Sequence, residues 1–112
     1  MNNDTQIMKG ILEGCLLRIL ETGELYGYAA VETLNGLGFD VNEATVYPIL
    51  SRLQNRGFLK VDKRPSPYGP VRKYYSLTEE GAENLHAFRQ TWEKISGIVN
   101  VILEGDINDK KR

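Results

Sequence analysis

Residues 42–77 read NEATVYPILSRLQNRGFLKVDKRPSPYGPVRKYYSL, and within this one stretch a helical period gives way to a strand period. Val46, Ile49, Leu50 and Leu53 share one face of an α-helix. Asn42 stands where an N-cap belongs, Glu43 suits the positive end of the helix dipole, and Gly57 suits the C-terminal cap. The spacing predicts a helix over 43–56, with Pro48 tolerable because it falls near the first turn. Beyond Gly57, Leu59 and Val61 alternate with Lys60 and Asp62. Val71, Lys73, Tyr75 and Leu77 alternate with Arg72, Tyr74 and Ser76, so one of the two adjacent tyrosines should pack on the core. Two strands follow the helix, therefore. Pro65-Ser66-Pro67-Tyr68-Gly69-Pro70 between them predicts a stiff protruding loop rather than a tight two-residue turn.

Upstream, Ile7, Met8, Ile11, Leu12, Cys15, Leu16, Ile19 and Leu20 predict an amphipathic helix over 7–21, preceded by a frayed polar segment. Gly10 and Gly14 lie on one face of it, where another backbone can approach closely, although a loose helix start tolerates glycine as well. A second helix opens at Tyr26-Gly27-Tyr28 and ends near Leu37. Downstream, Thr78 reads as an N-cap before Glu79 and Glu80. Leu85, Phe88, Trp92, Ile95, Val99 and Ile102 then recur at steps of three and four, the seam of a coiled coil. A helix reaching Glu104 is about 40 Å long, whereas the preceding domain should be about 25–30 Å across. The helix overhangs its domain, and a second copy of the chain is the simplest cover for the six seam residues. The alternative is that the seam folds back on the first helix.

At 112 residues the chain has room for one domain with an appendage, not for a multidomain enzyme. The expected division is 1–77, a winged helix-turn-helix; 78–105, a dimerisation helix; and 106–112, a disordered tail. The fold class is mainly α with a small β-hairpin. One cysteine excludes an internal disulfide framework and, with no secretory signal and no long apolar run, suggests a cytoplasmic location with no membrane partner. His86 is the one histidine and Cys15 sits among apolar residues, so no metal cluster, cofactor site or catalytic constellation is expected.

The net charge of −1 hides a polarised chain. Residues 51–76 hold seven basic residues against Asp62 alone, whereas residues 1–50 hold two against seven acidic ones. A basic block within an acidic chain is a footprint for a polyanion, or else a plain solvated surface. Three helices and a basic hairpin suit double-stranded DNA, with the third helix in the major groove and the hairpin on the backbone or in the minor groove. The expected contacts are Asn42, Thr45, Tyr47, Ser51 and Arg52 on the helix, with Arg52 as a phosphate clamp, and Lys63, Arg64, Tyr68, Arg72 and Lys73 on the wing. Tyr68 can instead cap the wing. The rival is a protein-interaction module whose hairpin docks an acidic partner.

The runs Leu25-Tyr26-Gly27-Tyr28, Asn42 to Leu53, Gly57-Phe58-Leu59 and Gly69 to Gly81 resemble the PadR-type transcriptional regulators, over roughly residues 7–105. The resemblance implies a homodimeric winged-helix repressor of the small subclass with a single C-terminal helix, acting on a pseudo-palindromic operator. It also implies a planar aromatic effector stacked between subunits, because Gln90 to Ile95 resembles the family segment that supplies a tryptophan wall. Trp92 occupies the matching place, with Glu13, Arg89 and Ser96 at the rim. The competing reading of Trp92 is a bulky seam residue without a ligand.

Overall fold

The computed structural model describes residues 3–105. The order is α1 (Asn3–Glu21), β1 (Leu25–Tyr26), α2 (Gly27–Gly36), α3 (Glu43–Asn55), β2 (Leu59–Ser66), β3 (Gly69–Leu77) and α4 (Glu79–Glu104). The expected tail at 106–112 lies outside the described residues. No described helix is long and apolar enough to cross a membrane.

The leucines of α1 at 12, 16, 17 and 20 supply one wall of the core, and the buried face of α3 supplies the opposite one. Both helix starts read from the sequence form as local hydrogen-bond geometry requires. The Asn42 side chain accepts from the Thr45 amide at 3.1 Å, and the Thr78 hydroxyl accepts from the Gly81 amide at 3.0 Å. Gly57 has a φ of +84°, in the left-handed region. Its amide donates to the Gln54 carbonyl while the Phe58 amide donates to that of Leu53, both at 2.9 Å, closing α3 in a Schellman turn. Pro48 is the sixth residue of α3, deeper than the first turn. It removes only the one donor that would have met the Ala44 carbonyl.

Asn35 fixes the turn between α2 and α3. Its amide donates to the Val41 carbonyl at 2.9 Å, and its carbonyl oxygen accepts from the Val41 amide at 2.8 Å. The Thr78 hydroxyl likewise donates to the Gly57 carbonyl at 2.6 Å, tying the start of α4 to the end of α3.

The sheet has three antiparallel strands in the order β1-β3-β2, one more than the predicted hairpin. The added strand, β1, pairs Leu25 with Tyr75 and Tyr26 with Tyr74. The connection between β2 and β3 also departs from expectation. Ser66 pairs with Gly69, leaving only Pro67 and Tyr68 in the turn, and the register shifts between Arg64 and Ser66. Pro65 sits in that bulge, where a residue without an N–H costs the ladder nothing. The protruding loop is therefore strand almost to its tip. Tyr75 is buried and Tyr74 lies on the outer face.

The first turns of α4 pack on α1. Leu85 is 2% exposed in the chain's own core, and the Phe88 ring lies so close over Gly14 that a Cβ there would collide with it. The close approach anticipated at Gly14 is thus made by a side chain, and Gly10 faces open space. This corrects the seam: Leu85 and Phe88 pack within the chain, and the uncovered stripe begins at Trp92, 47% exposed, and runs on through Ile95, Ile98, Val99 and Ile102 to Leu103. The chain measures 65 Å along its longest axis against 31 and 21 Å across, because α4 projects from the domain.

Candidate nucleic-acid interface

Strand alternation sorts the basic side chains of the wing onto two faces. Tyr26, Asp62, Arg64, Arg72 and Tyr74 share the outer face, and Lys63 and Lys73 share the face that carries Tyr75 into the core. Across the ladder, Lys63 stands directly opposite Lys73, and Arg64 opposite Arg72. Like charges placed so are destabilising unless something compensates them.

The arginine pair is compensated from within. Arg64 donates from both terminal nitrogens to Glu24, at 2.6 and 2.9 Å, and from Nε to Asp62 at 2.8 Å. These carboxylates push the Arg64 guanidinium further above its already high range. Its charge also lies 4.5 Å from the Tyr74 ring centre, and that of Arg72 lies 4.6 Å from the Tyr26 ring centre. The lysine pair has no such cover: among the described residues neither Lys63 nor Lys73 forms a salt bridge with a carboxylate.

The predicted contacts on α3 divide as well. Tyr47 and Ser51 turn toward the wing, where they line a groove of about 790 Å³ with Tyr26, Tyr28, Arg72 and Lys73. Tyr47 rests against Gly27, where a Cβ would meet the ring at 3.0 Å. Burial, assisted by Glu43, raises the Tyr47 phenol, so it is a protonated donor at neutral pH. Thr45 and Arg52 turn the other way and line a cavity of about 440 Å³ with Met8 and Leu12 of α1. Arg52 donates to Glu13 at 2.7 and 2.9 Å, and Arg56 adds a contact at 3.4 Å. The expected phosphate clamp is thus held by a carboxylate of α1. Asn42 is engaged as the N-cap, and Tyr68 stands at the wing tip, 96% exposed.

The residues expected around an aromatic effector do not converge in the single chain. Glu13 faces α3. Arg89 donates to Glu21 at 3.4 Å and lines a cavity of about 270 Å³ with Cys15, Leu34, Leu37 and Phe88, which does not include Trp92. Ser96 donates to the Glu93 carbonyl of its own helix at 3.5 Å.

The DNA contacts expected from the sequence do not include Tyr26, Tyr28, Glu24, Ala44 or Pro48. The sequence predicts a helix start at Tyr26-Gly27-Tyr28 with Tyr28 on the apolar side beside Val31 and Leu34, whereas Tyr28 is exposed and both tyrosines line the groove. Ala44 and Pro48 are exposed on α3 one turn apart, a signal visible in the helical spacing once polar groups alone are not sought.

Three helices, a short strand and a two-stranded wing, with an exposed third helix beside the wing, define the winged-helix class. A long C-terminal helix is appended to it. The sequence profile of the Transcriptional regulator PadR-like family matches residues 16–87, and the chain belongs to that family. A Streptococcus transcriptional regulator of known structure is 45% identical, covering 87% of this chain and 96% of its own, with a TM-score of 0.76. A PadR-like transcriptional regulator from Bacillus cereus is 42% identical, covering 90% and 99%, with a TM-score of 0.78. Bacillus subtilis PadR, solved in complex with operator DNA, is 27% identical over 72% of this chain and 47% of its own, with a TM-score of 0.65.

Proposed function

We propose that this chain is a cytoplasmic, homodimeric repressor that binds operator DNA. The observation that carries the reading is the Lys63–Lys73 pair. Lys63 and Lys73 stand opposite each other in the wing ladder beside an exposed α3, and among the described residues neither forms a salt bridge with a carboxylate. Phosphate supplies the missing counter-charge. The operator complex of Bacillus subtilis PadR supports the same assignment.

In this reading residues 1–77 bind DNA, and 78–105 form the dimerisation helix. Tyr47 and Ser51 approach base edges, Lys63, Arg72 and Lys73 hold the backbone, and Ala44 and Pro48 offer apolar surface to thymine methyl groups. Two copies bring two such surfaces to half-sites about one helical turn apart. The exposed stripe from Trp92 to Leu103 supports pairing, because uncovered apolar surface of that size is costly in water. An aromatic effector near Trp92 requires the pocket to be completed by the second subunit.

The test is a mobility shift with genomic fragments and excess nonspecific competitor. Retention of a specific fragment, lost as salt rises, supports the reading. No retention at low salt overturns it in favour of the acidic-partner module. Quenching of the one tryptophan by a panel of planar aromatics tests the effector, and unchanged emission across the panel counts against it.

A further inference from the structure

The outer face of the sheet holds a continuous stack, and a DNA contact at Arg72 explains only one end of it. Arg72 lies on Tyr26 at 4.6 Å, and Tyr26 meets Tyr74 with ring centres 5.8 Å apart and planes tilted by 57°. Tyr74 in turn lies beneath Arg64 at 4.5 Å, and Arg64 is gripped by both oxygens of Glu24. The stack spans the wing and β1. Arg64, Arg72 and Tyr74 belong to the wing, whereas Tyr26 is in β1 and Glu24 immediately precedes it. Since β1 runs straight into α2, the stack couples the wing to the helical part of the domain. Backbone pairing alone gives that junction only two residue pairs.

The charge arrangement says what Arg64 does there. Its terminal nitrogens are committed to Glu24 and its Nε to Asp62, so three of its five donors are taken by carboxylates. Glu24, Asp62 and Arg64 together carry a net negative charge. A phosphate approaching Arg64 would meet two carboxylates and would have to displace a two-toothed ion pair, the strongest geometry a guanidinium makes.

We infer that Glu24 and Arg64 form a brace that sets the angle of the wing against α3, making both of them positioning residues for DNA binding rather than phosphate contacts. The inference rests on the DNA-binding reading above. It runs against a simple charge count, in which an acidic residue beside the wing only opposes DNA.

The experiment compares wild type, Glu24→Ala, Arg64→Gln and the double variant. It measures hydrogen exchange of wing amides in the free protein, and affinity for the retained genomic fragment as a function of salt. The brace predicts faster exchange across residues 60–76 in both single variants and a loss of affinity of about three- to fivefold. It also predicts an unchanged salt slope, and a double variant no worse than either single one. Tighter binding by Glu24→Ala overturns it, as does a salt slope reduced by about 1 per subunit in Arg64→Gln, the mark of a lost phosphate contact. If wild type binds no DNA, the positioning role falls with the DNA-binding reading. Exchange in the free protein separately reports whether the brace holds the wing, and unchanged exchange overturns that part too.

Discussion

Replacing Lys63 and Lys73 by alanine tests the electrostatic claim most directly. With Lys63, Arg72 and Lys73 each neutralising one phosphate in both subunits, six contacts give a slope of log affinity on log salt of about −5. Raising salt from 50 to 200 mM then weakens the wild type by about a thousandfold. The double variant keeps two contacts, its slope falls to about −2, and the same salt step costs it only about tenfold. Fluorescence anisotropy with a labelled operator fragment, titrated at four salt concentrations, measures both slopes. The fold should not suffer. The two lysines are cross-strand partners with no carboxylate bound to either among the described residues, and removing such a pair relieves repulsion of about 0.2–1 kcal/mol, so the melting temperature holds or rises. A slope that changes by less than about 1 while the protein stays folded would refute the argument, because the uncompensated pair would then not face phosphate.

Three further outcomes follow from named contacts. Gly14→Ala drives a methyl group into the Phe88 ring and should destabilise the chain by about 1–3 kcal/mol, read as a drop in thermal midpoint. Ile95→Asp places a charge in the uncovered stripe of α4, where the side chain is 49% exposed; sedimentation should show a folded monomer with unchanged helix content, and a persisting dimer would remove the stripe from the interface. Burial raises the Cys15 thiol above its ordinary range, so less thiolate is present at neutral pH; alkylation by iodoacetamide should run slower than in the unfolded chain and catch up only as pH rises. Equal rates at pH 7 would show that burial does not protect the thiol.

The features that could be read from sequence are those made by neighbours along the chain. Asn42 caps an amide three residues on, as does Thr78; Gly57 closes the turn that ends α3; and the change of period at Leu59 marks where the wing begins. Each interaction closes within a turn of helix or a single strand, so residue type and spacing determine it. The concentration of cations over 51–76 was equally visible.

Which of those cations remain uncompensated was decided by the tertiary structure alone. Arg52 meets Glu13 from 39 residues away, and Arg64 meets Glu24 from 40 residues away. A count along the chain treats all seven basic residues alike, whereas folding engages Arg52, Arg56 and Arg64 with distant carboxylates and leaves Lys63 opposite Lys73 in the ladder. Two-residue β1 has no period to detect and exists only because β3 offers it an edge. Leu85 and Phe88 continue the heptad spacing of Trp92 and Ile95, yet the domain covers the first pair and α4 projects beyond it before reaching the second. Spacing places side chains on a common helix face, but what covers that face depends on which surfaces the fold brings alongside it.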